Sequence, residues 1–586
     1  MTCSKCSSGL TTARPASIDI DFQIKLLGAL SVGDVRTGTI PSLLPSQKHY
    51  LKLYSNLQRT VLREFLLRLV LASCLALLTG AACPEVVRAD DNVTRSAVKV
   101  FATQHPPDFS KPWTRQNPRE VVATGTAIEE NRILTNAHVV AYASQIYVQS
   151  YQSAERVSAR VLAVAPGIDL ALLAVDDPSF FDNCLALSFA GQLPKAKDTV
   201  NVYGYPLGGE ELSITEGIVS RIIYGPMQFN QPCLQVQIDA ALNPGNSGGP
   251  AVSKGKMIGL VSSKMMKAES IGYLIPVEEI RMFLNDVADG IYHGQPAIQG
   301  LELQTLENEA LRKRLKLGKG ESGIMVTRVQ SPGPDFPLTP FDVITHVGQY
   351  PVDNEGYVRV NGDLRLAAQY LAPRLARDGK VPVRIIRDGV VHETAVPVAV
   401  GSRRLIRFTG LEYPRYFIYG PLVFSPITET HIHFLSQNEK AIPFLTGIGN
   451  PIASRYTDEA VFEDEELVSA VSPILSHKIS KGYELKFFSI VSDVNETKIK
   501  NLVHLVETLR DCRDEFIVFR FAGSGNEILV FRREEIEAAT EEILGDYGIR
   551  HQYSQDLRTV WEKTKDDKTM PAALKSDVVG NMKPLE

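Results

Sequence analysis

At 586 residues the chain is long enough for roughly four domains, each with its own hydrophobic core. A net charge of -5, with 22% charged and 44% hydrophobic residues, describes globular material and argues against a nucleic-acid binder or a disordered chain. Of the seven cysteines, Cys3, Cys6, Cys74 and Cys83 lie in or before a targeting-type segment. The remaining Cys184, Cys233 and Cys512 are too sparse for a disulfide framework.

Residues 1–56 are serine-rich, carry few acids and have no sustained period. They read either as a start site assigned too early or as the first half of a bipartite organelle-targeting sequence. Arg59, Arg63 and Arg68 then precede an apolar run from Leu69 to Ala82, and Val87-Arg-Ala89 presents small residues at signal-peptidase spacing. Residues 57–89 read as a signal peptide, because the uncharged run falls short of the roughly 20 residues of a spanning helix. Cleavage there leaves a mature start near Asp90. Cys3 and Cys6 form half of a zinc motif without a second pair, so no metal is expected.

From about residue 95 to 290, short β-branched runs alternate with Gly, Pro and Asn turns, as in an all-β barrel or sandwich. Gln145–Ser150 and Leu234–Asp239 alternate, the second placing Leu234, Val236 and Ile238 on a buried face. In Ile133-Leu-Thr-Asn-Ala-His138-Val-Val140 a histidine follows an apolar strand. In Gly167-Ile-Asp169-Leu-Ala-Leu-Leu-Ala-Val175 an aspartate opens an otherwise apolar one. Alone, the first is an ordinary loop histidine and the second a strand cap, but a buried carboxylate needs a partner, which His138 would supply. Leu242-Asn-Pro-Gly-Asn-Ser247-Gly-Gly-Pro250 puts a serine in a tight turn of small residues, with the amides of Gly245 and Ser247 free to converge on one spot. Asp169 would orient His138, His138 would deprotonate Ser247, and the two amides would hold the oxyanion. Pro276–Val287 has helical spacing, and Gly290–Gly300 reads as a linker.

The order His138, Asp169, Ser247 is that of chymotrypsin-type double barrels. Together TNAHVV, DLALL and NPGNSGGP resemble the Deg/HtrA (protease Do-like) serine endopeptidases, and VYGYPLGG, LSITEGIVSR and IGYLIP extend the likeness. The resemblance implies an activation loop from Ser262 to Gly272, with Ile271 and Tyr273 near the specificity pocket. It also implies a PDZ domain at 298–400, whose carboxylate loop would be Ser322, Gly323, Ile324, Met325 and Val326, receiving peptide C-termini. An apolar helix around Leu364–Leu375 and a strand Val381–Arg387 belong to it, although Pro340-Phe341-Asp342 replaces the usual Gly-Asp.

Residues 404–548, with Tyr413–Pro426 and Lys498–Glu507, resemble the divergent second PDZ module of plant-type Deg proteases. Here an assembly role is favoured over peptide binding, with Tyr413, Tyr416 and Tyr419 as core and interface residues and Phe462–Glu466 as a solvated face. Residues 549–586 read as a tail.

The expected fold is thus mainly β, a double-barrel protease followed by two PDZ-like α+β modules. The expected function is an ATP-independent serine endopeptidase that degrades unfolded or damaged proteins, needing no cofactor. The alternative is an extracytoplasmic chaperone or PDZ scaffold. The resemblance implies a homo-trimer or larger homo-oligomer. The targeting segment implies a periplasmic or secreted protein, or a thylakoid-type lumenal one if the targeting is bipartite.

Overall fold

The computed structural model describes residues 91–563 apart from 228, 230, 265–270, 331–335, 363 and 402. These fall in one compact unit, Arg88–Glu586. The signal peptide, the residues before it, the middle of the expected activation loop and the end of the tail lie outside the described residues.

The first barrel is built from β1 (Ala97–Gln104), β2 (Arg119–Ile128), β3 (Arg132–Thr135), β4 (Ala143–Gln149), β5 (Val157–Ala165) and β6 (Leu170–Val175), closed in the order β1-β2-β3-β6-β5-β4. The second uses β7 (Thr199–Gly204), β8 (Ser213–Pro226), β9 (Pro232–Ile238), β10 (Pro250–Ser253), β11 (Lys256–Lys264) and β12 (Gly272–Pro276), closed as β10-β11-β12-β9-β8-β7. Closure removes free strand edges and fills each interior with alternating apolar side chains. Val98, Val100, Ile133 and Leu173 fill the first, and Val200, Val236 and Ile238 the second, while Leu234 is buried in the core of the following module. The expected buried face of β9 is present, with Leu234 covered by the following module and Val236 and Ile238 by the barrel interior. The short helix α1 (Ala137–Val140) follows β3, and α2 (Val277–Asp286) packs Ile280 and Phe283 between the barrels against Leu134, Leu170 and Leu260.

Residues 301–397 form a sheet of β13 (Leu301–Gln304), β14 (Ile324–Val329), β15 (Val343–Val347), β16 (Tyr350–Pro351), and, further along the chain, β19 (Lys380–Arg387) and β20 (Val390–Pro397), ordered β13-β14-β15-β19-β20 with β16 on β15. Between them β17 (Tyr357–Val360) and β18 (Leu364–Ala367) make a hairpin, turning through Asn361 and Gly362, both at positive φ. This corrects the helix expected over Leu364–Leu375. The first third is a strand, followed by a 3₁₀ turn Ala368–Leu371 and a single helical turn Ala372–Leu375, where Pro373 sits in the first turn. Phe341 adopts φ +73°, the conformation a glycine would supply there, and Asp342 beside it is buried and paired with Arg387 at 2.7 Å. Glu309–Arg314 form a short helix, and its Leu311, with Leu315 and Leu317 just after it, faces a small core.

The last sheet runs β21 (Phe417–Tyr419), β22 (Leu422–Pro426), β23 (Val468–Ala470), β24 (Ser489–Val494), then β26 (Phe516–Phe521) and β27 (Leu529–Arg532), with β25 (Thr497–Lys498) on β24. Helices α3 (Glu429–Ser436), α4 (Leu502–Asp511) and α5 (Arg533–Asp546) cover it, and Leu502, Leu505, Val506 and Leu509 of α4 are buried. The hairpin expected from 516 to 531 is present.

Two expectations need correction here. Residues 549–561 are not a tail, since Ile549 and Leu557 are buried, Tyr553 bridges Phe417, and the Trp561 ring lies 5.0 Å from that of Phe417. Nor is Phe462–Glu466 wholly solvated. Glu465 is buried on Arg455 at 2.9 Å, and Glu466 pairs with Arg415 and accepts the Leu502 N–H at the start of α4.

Candidate active site

Three turns from different strands converge at the seam of the barrels. After β3, Asn136 leads into α1, which carries His138. Before β6, the 3₁₀ turn Pro166–Ile168 ends with Asp169 at φ +56°, a left-handed position that an aspartate tolerates better than most residues. Its carboxylate is buried and meets His138 twice: Oδ1 accepts the backbone N–H at 3.0 Å, and both oxygens lie 2.9 Å from Nδ1. Asn136 Nδ2 donates to the Asp169 carbonyl at 2.9 Å, which locks the two turns together. The His138 ring remains half-exposed, so one face is open to substrate. Burial pulls its pKa down, but the charge and hydrogen bond of Asp169 outweigh this and hold it above the ordinary imidazole value.

Ser247 sits in the turn between β9 and β10, and glycine is obligatory around it. A Cβ on Gly245, at φ +102°, would lie 2.3 Å from the Tyr205 carbonyl oxygen. One on Gly248, at φ +83°, would lie 2.0 Å from that of Thr124. The loop is pinned by Leu207 N–H to the Pro244 carbonyl at 2.6 Å and Thr124 Oγ1 to the Gly245 carbonyl at 2.7 Å. Among the described residues, neither the Gly245 nor the Ser247 amide donates to a protein acceptor. The Ser247 hydroxyl donates to the Ser262 carbonyl at 3.3 Å, and no hydrogen bond joins it to His138.

Ser262 was legible only as the start of a loop. It lies buried in β11, and its hydroxyl donates to Asp169 Oδ2 at 2.7 Å. Gly272 packs on Leu242, where a Cβ would lie 2.4 Å from Leu242 Cδ1. Leu242 and Ile238 are both buried in the core of the second barrel, directly behind Gly272. Tyr273 pairs with Gln237 in the same sheet, and Ile271 is half-buried at its edge.

The expected peptide loop of the next module is contradicted. β14 is paired on both sides, with β13 (Leu301↔Val329 to Gln304↔Met325) and with β15 (Ile324↔Ile344, Met325↔Val343), so it has no edge for an added strand. Ser322 donates to the Val352 carbonyl at 2.7 Å, Met325 and Val326 are core, and Ile324 packs near Gly356. Gly323 is needed because a Cβ would lie 2.5 Å from the Ile344 carbonyl oxygen. Ile324, Met325 and Val326 belong to the sheet, Ser322 and Gly323 lead into it, and the edge strands are β13 and β20.

Two closed six-stranded barrels with a serine turn and a His–Asp pair at their seam define a chymotrypsin-like serine endopeptidase. Residues 123–260 match the trypsin-like peptidase domain, and residues 409–556 match the PDZ domain. The chain is 34% identical over 487 residues to the chloroplastic protease Do-like 2 of Arabidopsis thaliana, covering 82% of this chain and 78% of that one. The mitochondrial protease Do-like 4 of the same plant is 31% identical over 483 residues, covering 80% and 88%. The chain belongs to the Do-like (Deg/HtrA) family of serine proteases. A solved HtrA-type protease, AlgW with a tripeptide, aligns with TM-score 0.41 and 24% identity over 53% of this chain and 95% of that one.

Proposed function

We propose that His138, Asp169 and Ser247 are the catalytic triad and that the enzyme is an ATP-independent protease of unfolded or damaged proteins. The observation that carries this is the two-point grip of buried Asp169 on His138, by backbone N–H and by Nδ1. With Nδ1–H donated to the carboxylate, Nε2 carries the free lone pair and serves as general base. Rotation about χ1 moves Ser247 Oγ from the Ser262 carbonyl to Nε2, a movement available on the picosecond-to-nanosecond scale. Oγ attacks the peptide carbonyl as its proton passes to Nε2. The unused amides of Gly245 and Ser247 receive the oxyanion, and the proton is returned to the leaving amine. Water then repeats the sequence on the acyl-enzyme.

Half-buried Ile271 and Tyr273, flanking Gly272 at the start of β12, favour an apolar side chain before the cleaved bond. Residues 298–400 act as a PDZ-like module, and its peptide docks along β13. The relatives are named chloroplastic and mitochondrial, which favours delivery to an organelle over secretion. Assembly is a homo-trimer or larger homo-oligomer. The test is cleavage of an unfolded protein by the purified chain, by Ser247→Ala and by His138→Ala. Equal cleavage by Ser247→Ala removes Ser247 as nucleophile. N-terminal sequencing of the mature protein checks the start near Asp90.

A further inference from the structure

The two turns that carry His138 and Asp169 are both backed by the last module. Behind His138, Gln104 is buried, and its side-chain amide donates to the carbonyls of His138 at 2.7 Å and Val139 at 2.8 Å. The next residue, His105, donates its N–H to the Tyr142 carbonyl at 2.9 Å, which ties β1 to the far end of the same helical turn. Tyr413, just before β21, closes this knot from outside. Its hydroxyl donates to the His105 carbonyl at 3.0 Å, its ring centroid lies 5.6 Å from that of Tyr142, and the Arg115 guanidinium sits 4.4 Å above it. In the same β1–β2 connection, Phe109 is buried against His431 and Phe434 of α3, at 4.8 and 5.7 Å between centroids. Trp113 packs on that core as well.

The second path reaches Asp169. Phe229, at the tip of the β8–β9 hairpin, stacks on Phe408 with centroids 4.1 Å apart and planes 21° from parallel. Two residues on, Gln231 lies against Gly167 and donates to the Tyr292 hydroxyl at 3.1 Å. The approach is so close that a Cβ on Gly167 would lie 1.6 Å from Gln231 Oε1. Gly167 belongs to the 3₁₀ turn that ends in Asp169.

We infer that Tyr413 and Phe408 are positioning residues for the His138–Asp169 pair, so that the last module braces the catalytic turns of the first barrel from behind. This rests on the triad proposed above. Neither aromatic is among the candidate reacting groups, and each acts through one intervening layer, Tyr413 through His105 and Gln104, Phe408 through Phe229 and Gln231. Loss of either ring lets its turn drift, and a displacement of about 1 Å of a reacting group costs on the order of a hundredfold in rate.

The test uses the full chain with Tyr413→Ala, Phe408→Ala, Tyr413→Phe, Phe229→Ala and Ser247→Ala, assayed on a short chromogenic peptide. The alanine variants should lose about tenfold or more in kcat with KM within about twofold, the mark of a lost transition-state arrangement. Tyr413→Phe keeps the ring contacts but loses the hydroxyl bond to His105, and should fall between the wild type and Tyr413→Ala. Phe229→Ala removes the same stack from the protease side without touching the module, so it reports on the brace even if Phe408→Ala fails to fold. Alanine variants with unchanged kcat overturn the inference, as does a rise in KM alone, which would assign the module to substrate binding. Ser247→Ala separates the two levels: activity in that variant overturns the triad, whereas its inactivity beside fully active Tyr413→Ala and Phe229→Ala overturns only the brace.

Discussion

Ser262 touches Asp169 and Ser247 at once. Its hydroxyl donates to Asp169 Oδ2 at 2.7 Å, while its carbonyl accepts the Ser247 hydroxyl at 3.3 Å. One residue of β11 thus sets the carboxylate and parks the nucleophile. Ser262→Ala strips a donor from a buried carboxylate, a change worth about 1–3 kcal/mol. We predict a fall in kcat/KM of about tenfold to a hundredfold on a peptide substrate; an unchanged value would mean the hydroxyl is idle.

The His138 pKa lies above 6.5 because the Asp169 charge and hydrogen bond outweigh burial. The basic form is the active one, so kcat/KM should rise with pH along an acid limb centred above that value. Stability moves the other way. A raised folded pKa contributes stability that is complete below the unfolded value and disappears as pH rises through the folded one. The Tm advantage of the wild type over Asp169→Asn should therefore shrink as pH rises from below about 6.5 through the raised folded value. An advantage that grows over that range would contradict the assignment.

Gly245→Ala places a methyl group against the Tyr205 carbonyl oxygen at a φ that alanine resists. The turn must rotate, and one oxyanion donor leaves its place, which costs about a hundred- to a thousandfold in kcat. Peptide kinetics on a variant with wild-type near-ultraviolet dichroism measures this. Full activity would show that the amide takes no part.

Arg374 joins the protease to the next module. It donates to Glu278 and, at 2.8 Å, to Glu279, which is fully buried and also accepts from Leu234 N–H and Gln295. Arg374→Met leaves Glu279 without its cation and should destabilise the chain by about 3–5 kcal/mol. Urea unfolding followed at two wavelengths would detect the shift in midpoint, and an unmoved midpoint would mean that Gln295 and Leu234 suffice.

The double barrel and its candidate triad were legible because the constraints are local. Glycines flank Ser247 where carbonyls of neighbouring strands press on them, and alternation in β9 follows from a filled interior. Ser262 carried no such signal, since a serine in a strand looks the same whether it faces solvent or a carboxylate. The stretch Ile324–Val329 reads correctly as a strand, yet nothing in its residues says that both its edges are taken. Asn361-Gly362 is a hairpin-type dipeptide, yet the hairpin was missed, because the apolar run after it reads equally as helix until its partner Tyr357–Val360 is known. Phe341 at positive φ hides the position where the family's glycine would advertise a turn.

The nucleophile turn is stitched to the other barrel. Thr124 of β2 donates its N–H to the Ser247 carbonyl and its hydroxyl to the Gly245 carbonyl, and Thr126 donates to the Gly248 carbonyl. Ser247 is held in place by the half of the enzyme that holds His138 and Asp169. A fragment carrying only residues beyond about 190 would contain the GNSGGP turn but none of the threonines that shape it. Expressed apart, the two halves would be inert for different reasons, one lacking its nucleophile and the other lacking the mould in which that nucleophile is cast.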